Sequence, residues 1–98
     1  MHVITRSKLI DFWKKHPPSE SGLKTWFQKV KTAKWKSFQD IKKDFPTADQ
    51  IGNNRIVFDI KGNDYRMICL VFIQGQKVYV RFVGTHAEYD KLKDAKNI

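Results

Sequence analysis

The sequence predicts an α+β domain in which helices pack on one face of an antiparallel sheet. In the first half of the chain, apolar residues recur at helical spacing; after residue 54 they alternate with the period of two typical of strands. Glycine-containing turns separate three such strands, which predicts a C-terminal three-strand meander. The 98 residues suffice for one modest core, and no repeat or linker divides them. We therefore expect a single domain over residues 1–98.

The first half begins with a short predicted strand at residues 2–5. A first helix continues to about Lys15 and ends before two consecutive prolines, which remove backbone donors and disfavour helical geometry in the preceding residue. A third helical segment follows Ser37 and stops at Pro46. Residues 46–54 are polar and are expected to form a loop.

The second helix has the clearest pattern. Leu23, Trp26, Phe27 and Val30 follow the i, i+3, i+4, i+7 spacing of one buried stripe. The lysines of this segment lie off the stripe, so the helix is expected to present a basic outer face.

Three strands and a short helix or turn complete the chain. The strands are predicted at residues 56–60, 64–73 and 77–84, with the middle one apolar on both faces as expected for a central strand. Gly62 and Asn63 tolerate positive φ and indicate a hairpin turn, and Gly75 marks a second turn. Residues 85–95 are predicted to form a short C-terminal helix or turn.

The two turns also predict which residues meet. A two-residue first turn places Arg66 opposite Asp59 or within one residue of it. A second turn centred on Gly75 places Arg66 opposite Gly84, and a two-residue turn moves its partner to Thr85. Arg66 is therefore expected beside the end of the last strand, where a glycine would leave room for its guanidinium or a ligand.

The composition points to a polyanionic partner. The net charge is +9, and residues 1–45 hold 11 Lys/Arg against 4 Asp/Glu. Such charge is typical of proteins that bind nucleic acid, an acidic membrane surface or an acidic protein. Lysines suit contact with phosphates rather than with base edges. Each lysine alone is also consistent with an ordinary solvated helix surface.

Groups suited to proton transfer follow the last predicted strand: Thr85, His86, Glu88 and Tyr89. Imidazole titrates near neutral pH, which suits general acid–base catalysis. Each residue also has a structural interpretation, since Arg66 could pair with Asp59, His86 could cap a helix, and Tyr89 could pack on the sheet. The convergence of arginine, histidine and tyrosine favours a catalytic site.

Other chemistries have little support. The single cysteine, Cys69, lies in an apolar run and excludes an internal disulfide, which indicates a reducing compartment. No His, Cys, Asp and Glu cluster has metal-ligand spacing, and no glycine-rich phosphate loop is present. We expect no metal or cofactor. With no signal-like segment or apolar run of about 18 residues, the protein is expected to be cytoplasmic.

Several segments, spread almost end to end, resemble the HigB family of bacterial type II toxin–antitoxin toxins, within the RelE/ParE-like fold group. These are residues 2–5 (His-Val-Ile-Thr), 34–36 (Lys-Trp-Lys), 45–49 (Phe-Pro-Thr-Ala-Asp), 62–66 (Gly-Asn-Asp-Tyr-Arg) and 80–90 (Val-Arg-Phe-Val-Gly-Thr-His-Ala-Glu-Tyr-Asp). The resemblance implies an endoribonuclease that cuts translated mRNA on the ribosome and arrests growth. It also implies a HigA-type helix-turn-helix antitoxin and a hetero-oligomeric complex that binds operator DNA.

The resemblance also suggests residue roles. Arg66 matches the central-strand arginine that contacts the scissile phosphate in RelE-like toxins. The lysines that RelE carries on the strand before the hairpin have no match, because Val57 and Asp59 stand there. The acid–base roles therefore fall on His86 and Tyr89.

We thus expect metal-independent cleavage by attack of a 2′-hydroxyl, with two sets of site residues. The catalytic set is Arg66, His86, Tyr89 and Arg81. The set for RNA and phosphate binding is Lys29, Lys31, Lys34, Trp35, Lys36, Lys61 and Asn63. A ParE-like DNA gyrase poison and a non-catalytic RNA-binding regulator remain alternatives, because fold alone does not decide function.

Overall fold

The computed structural model describes residues 1–98 as four helices and a five-stranded sheet. The helices are α1 (Ser7–Lys15), α2 (Glu20–Thr32), α3 (Phe38–Asp44) and α4 (His86–Asp90), with short 3₁₀ turns at Pro17–Ser19 and Ala95–Asn97. The strands are β1 (His2–Ile4), β2 (Asp49–Gly52), β3 (Arg55–Ile60), β4 (Tyr65–Phe72) and β5 (Lys77–Thr85). The predicted α+β class is confirmed.

The sheet is mixed rather than wholly antiparallel. Its strand order is β1-β5-β4-β3-β2, and β3, β4 and β5 form an antiparallel meander. The first strand corrects the prediction, because His2–Ile4 pairs in parallel with residues 77–79 at the start of β5. From β1 the chain passes through α1, α2 and α3 and re-enters the sheet at β2, on the opposite edge.

The predicted loop at residues 46–54 contains a further strand. Asp49–Gly52 pairs antiparallel with β3, with an irregularity next to Gly52, whose φ is +106°. The segment shows no apolar alternation because, as an edge strand, it leaves most of its side chains exposed.

The hydrophobic core lies between the helices and one face of the sheet. Trp26 of α2 packs edge-on against Phe58 of β3, with ring centroids 5.5 Å apart. The largest buried side chains of this core come from both layers: Leu9, Leu23, Trp26, Trp35, Ile41, Phe58 and Met67. The N-terminal helices are therefore packed on one face, as predicted. None of the helices is long and apolar enough to span a membrane.

The sheet face opposite the hydrophobic core carries Asp59 and Arg66, the polar residues that the sequence predicted to meet. Asp59 and Arg66 are paired across β3 and β4, and Arg66 is paired with Gly84 across β4 and β5. The C-terminal residues contact this side of the sheet, where Arg55 and Arg81 both donate hydrogen bonds to the Ile98 main-chain oxygen, at 2.9 and 3.1 Å. The end of the meander and α4 together form the corner described next.

Candidate active site

Arg66 is the central residue of a corner formed by β4, the β3–β4 turn and α4. Its Nε lies 3.1 Å from Asp59 Oδ1 and donates to Asn63 Oδ1 at 3.3 Å. The side chains of Arg66 and Asp59 are 21% and 16% exposed, so the pair is only partly screened by solvent. The two terminal nitrogens of Arg66 make no hydrogen bond within the protein, which leaves them able to bind an anion in bidentate geometry.

Tyr89 of α4 also contacts Arg66. The guanidinium carbon lies 4.8 Å from the centre of the Tyr89 ring, a cation–π contact that joins β4 to α4. The phenol hydroxyl has no hydrogen-bond partner in the protein, although the side chain is half-buried. Tyr89 therefore offers both a ring that supports Arg66 and a free proton donor.

A capping box fixes α4 at the end of β5. The Thr85 hydroxyl accepts from the Glu88 backbone N–H at 3.1 Å, and Glu88 Oε1 accepts from the Thr85 backbone N–H at 2.8 Å. The hydrogen bond from the Thr85 backbone lowers the pKa of Glu88, and the nearby His16 and Lys91 contribute further. Glu88 is therefore a carboxylate engaged in capping rather than a proton donor at neutral pH.

His86, the first residue of α4, is held by a carboxylate one turn later. Its Nδ1 lies 2.9 Å from Asp90 Oδ2, and its backbone N–H donates to the Asp64 carbonyl at 3.1 Å. A proton on Nδ1 shared with Asp90 leaves Nε2 as the acceptor nitrogen. The imidazole is 37% exposed, so a substrate can reach it.

Asp90 is a functional candidate that the sequence interpretation missed. It stands four residues after His86, a spacing that places two side chains on one helical face. The i, i+4 spacing could have identified this pair from the sequence. A carboxylate bound to one nitrogen of an imidazole orients the ring, as in catalytic triads.

Gly84 does not provide the ligand space that was expected. A Cβ at this position would lie 2.5 Å from Phe82 Cζ, so the Phe82 ring already covers the glycine. The register prediction of Arg66 opposite Gly84 is nevertheless confirmed. The glycine permits a close packing of Phe82 beside the arginine.

Arg81 does not join the corner. A bulge in β5 leaves it without a residue opposite in β4, since Ile68 pairs with Phe82 and Cys69 with Val80. It lies roughly 10 Å along the strand from Gly84. Its Nε is bound to the Ile98 oxygen at 3.1 Å. Its predicted place among the catalytic residues therefore needs correction.

The predicted RNA-binding residues fall into separate groups. Lys61 and Asn63 lie in the turn beside Arg66 and belong to the corner. Lys31, Lys34 and Lys36 line a cleft of about 410 Å³ at the opposite end of β5, near Gln76. Lys29 is tied to α3, because its Nζ donates to the Asp44 carbonyl at 3.2 Å.

Trp35 is a core residue, which corrects its assignment to RNA binding. The residue is 2% exposed, its Nε1 donates to Asp44 Oδ2 at 2.8 Å, and its ring stacks near Phe58 with centroids 6.5 Å apart. No face of the indole is available to a base. Burial likewise raises the pKa of the Cys69 thiol, so that residue is not a nucleophile.

Comparison with known proteins identifies the family. Residues 19–92 match the model of the HigB toxin, described as the RelE-like toxic component of a toxin–antitoxin system. The chain is 34% identical to the mRNA interferase toxin HigB of Escherichia coli K12, over 92% of this chain and 88% of that protein. It is also 27% identical to the mRNA interferase HigB of Escherichia coli O6:H1, over 94% of this chain and 91% of that protein. The chain therefore belongs to the HigB toxin family, whose members are the toxic components of toxin–antitoxin systems.

Proposed function

We propose that this toxin is an mRNA interferase, an endoribonuclease that cleaves translated mRNA on the ribosome and thereby inhibits translation and growth. The observation that most directly supports this proposal is the corner in which Arg66, with two free terminal nitrogens, stacks on Tyr89. Tyr89 belongs to the helix that begins with His86. The names of the relatives, mRNA interferases that align over most of the chain, support the same activity.

The proposed reaction is metal-independent transesterification. His86 Nε2 takes the proton of a ribose 2′-hydroxyl, and the 2′-oxygen forms a bond to the adjacent phosphorus. The bond from phosphorus to the 5′-oxygen breaks, and that oxygen takes a proton from Tyr89. The products are a 2′,3′-cyclic phosphate and a 5′-hydroxyl end, so atoms and charge balance without a further reactant.

Arg66 supplies the charge stabilisation. Its terminal nitrogens bind the non-bridging phosphoryl oxygens, which gain negative charge in the transition state. Asp59 and Asn63 hold its Nε, and the Tyr89 ring supports its plane, so the guanidinium is fixed before substrate binds. Lys61, exposed in the adjoining turn, adds positive charge beside the phosphate.

The test is RNA cleavage in a reconstituted translation system, with the new ends mapped by primer extension. Wild-type protein is expected to give 5′-hydroxyl ends within translated transcripts, and Arg66→Ala to lower the cleavage rate by about 10²–10³-fold. Arg6→Ala is the matched control, because Arg6 stacks on Phe27 of α2 instead. Intact transcripts in the presence of gyrase-linked DNA breaks would contradict the proposal.

As the toxic component of a toxin–antitoxin system, the protein has an antitoxin as its partner class. We propose a HigA-type antitoxin with a helix-turn-helix domain, forming a hetero-oligomer that binds operator DNA. Co-expression with the product of the adjacent gene should abolish growth arrest and yield a complex that shifts the promoter fragment. A neutralising partner whose complex has no affinity for that DNA would contradict the proposed binding to operator DNA.

A further inference from the structure

A basic groove runs between α1 and the part of β5 that has no strand partner on that side. Strand β1 pairs only with residues 77–79, so β5 beyond Tyr79 has a free edge, and α1 lies alongside it. The groove encloses roughly 320 Å³ and is lined by Lys8, Asp11, Phe12 and Lys15 of α1 and by residues 81–83 of β5. None of the α1 residues belongs to the corner described above.

The cations of this groove are spaced along one line. Lys8 and Lys15 are two helical turns apart, so their side chains leave the same face of α1 about 10 Å from each other. Lys8 Nζ donates to the Arg81 carbonyl at 3.3 Å, which places its ammonium at the strand edge. Asp11 is the one carboxylate among the residues that line the groove. The Arg81 guanidinium is bound to Ile98 instead, so Arg81 meets Lys8 through its backbone carbonyl.

The groove and the surroundings of the corner share Phe82. This residue lines the groove, and its ring also lies on Gly84, the residue opposite Arg66. An RNA chain that left Arg66 past Phe82 would enter the groove. Phe82 adds a half-buried aromatic ring of the kind that stacks with unpaired bases, whereas the Phe12 ring is already stacked on His16 with centroids 4.5 Å apart.

We propose that this groove binds the sugar–phosphate backbone of single-stranded RNA on one side of the scissile bond. The proposal rests on the proposed function, since it extends the substrate path from Arg66. It adds Lys8 and Lys15 as residues that hold RNA by charge without reading sequence.

The test uses a labelled 2′-O-methyl RNA oligonucleotide, which has no free 2′-hydroxyl and cannot be cleaved. Binding is followed by fluorescence anisotropy over a range of salt concentrations. For single strands the logarithmic salt slope falls by about 0.7 for each phosphate contact removed, so Lys8→Gln/Lys15→Gln should lower it by about 1.4. Lys42→Gln/Lys43→Gln on α3 makes the same charge change outside the groove and should leave the slope nearly unaltered.

A second variant distinguishes the loss of RNA contacts from unfolding of the protein. Asp11→Asn removes the only carboxylate of the groove and is expected to tighten binding by about fivefold, which unfolding would not do. Equal salt slopes for the two double variants would overturn the proposal. It would also be overturned if Lys8→Gln/Lys15→Gln bound RNA normally but lost affinity for the antitoxin.

The binding measurement is independent of cleavage. A wild-type protein that cuts no RNA, yet shows the groove-specific change in slope, would refute the proposed function and support the groove. A protein that cuts RNA with an unchanged slope in the groove variant would support the proposed function and refute the groove.

Discussion

The guanidinium of Arg66 lies over the ring of Tyr89, 4.8 Å from its centre, and so connects the central strand of the sheet to the short helix after the last strand. The contact lets one side chain from β4 and one helix begun by His86 act as a unit. The helix has only five residues and depends on its capping box and on this contact for its position.

Substitutions of Tyr89 separate its two proposed roles. Tyr89→Phe keeps the ring beneath Arg66 but removes the proton donor, so the cleavage rate should fall by about 10²-fold. Tyr89→Ala should lower the cleavage rate further, because Arg66 then also loses the ring that supports it. Single-turnover cleavage of mRNA measures both, and Tyr79→Phe on β5 is the control. Wild-type rates in Tyr89→Ala would exclude both roles.

Variants of His86 and Asp90 test how the imidazole is held. His86→Gln should lower the cleavage rate by about 10²–10⁴-fold through loss of the base. Asp90→Ala should lower kcat less, with KM little changed, because Asp90 acts by orienting Nδ1. It should also alter the pH–rate profile, whereas Asp49→Ala should not. An unaltered profile in Asp90→Ala would show that the contact between His86 and Asp90 is only a surface hydrogen bond.

Glu88 predicts a change in stability with pH. Its pKa in the folded protein is lowered from 4.5, chiefly by the hydrogen bond from Thr85, so it stabilises the fold above that value. This stabilisation is lost as the pH falls through the lower folded pKa, because the protonated acid is a poorer acceptor. Thermal unfolding should show a lower Tm for Glu88→Gln at pH 7 and converging values at pH 3. Glu20→Gln is the control, and a pH-independent difference would contradict this cause.

Trp35 should affect stability rather than RNA binding. Trp35→Ala removes a buried indole and should cost about 3–5 kcal/mol of unfolding free energy. Trp35→Phe loses the hydrogen bond to Asp44 and should cost less. Urea denaturation measures both costs, and the folded Trp35→Phe protein should bind RNA as the wild type does. Weakened RNA binding with unchanged stability would restore a direct role for the residue.

The corner was predictable because its register depends on short turns. The expected pairings of Arg66 with Asp59 and with Gly84 are both present. A turn centred on Gly75 would pair Ile73 with Lys77. In the structure Phe72 pairs with Lys77 instead, and the bulge at Arg81 then adds one residue. Two departures cancel at Gly84. Arg81 itself is the extra residue of the bulge and therefore has no partner in β4.

By itself the sequence determined the helical and strand periods, the meander and the meeting of Arg66 with the end of the last strand, because these depend on local geometry and on turns of a few residues. Only the tertiary structure decided that β1 joins β5 in parallel, that Asp49–Gly52 forms an edge strand, that Trp35 is buried and that α1 lines a basic groove. These features depend on backbone hydrogen bonds and packing between segments far apart in the chain, and periodicity carries no information about which partner a segment meets.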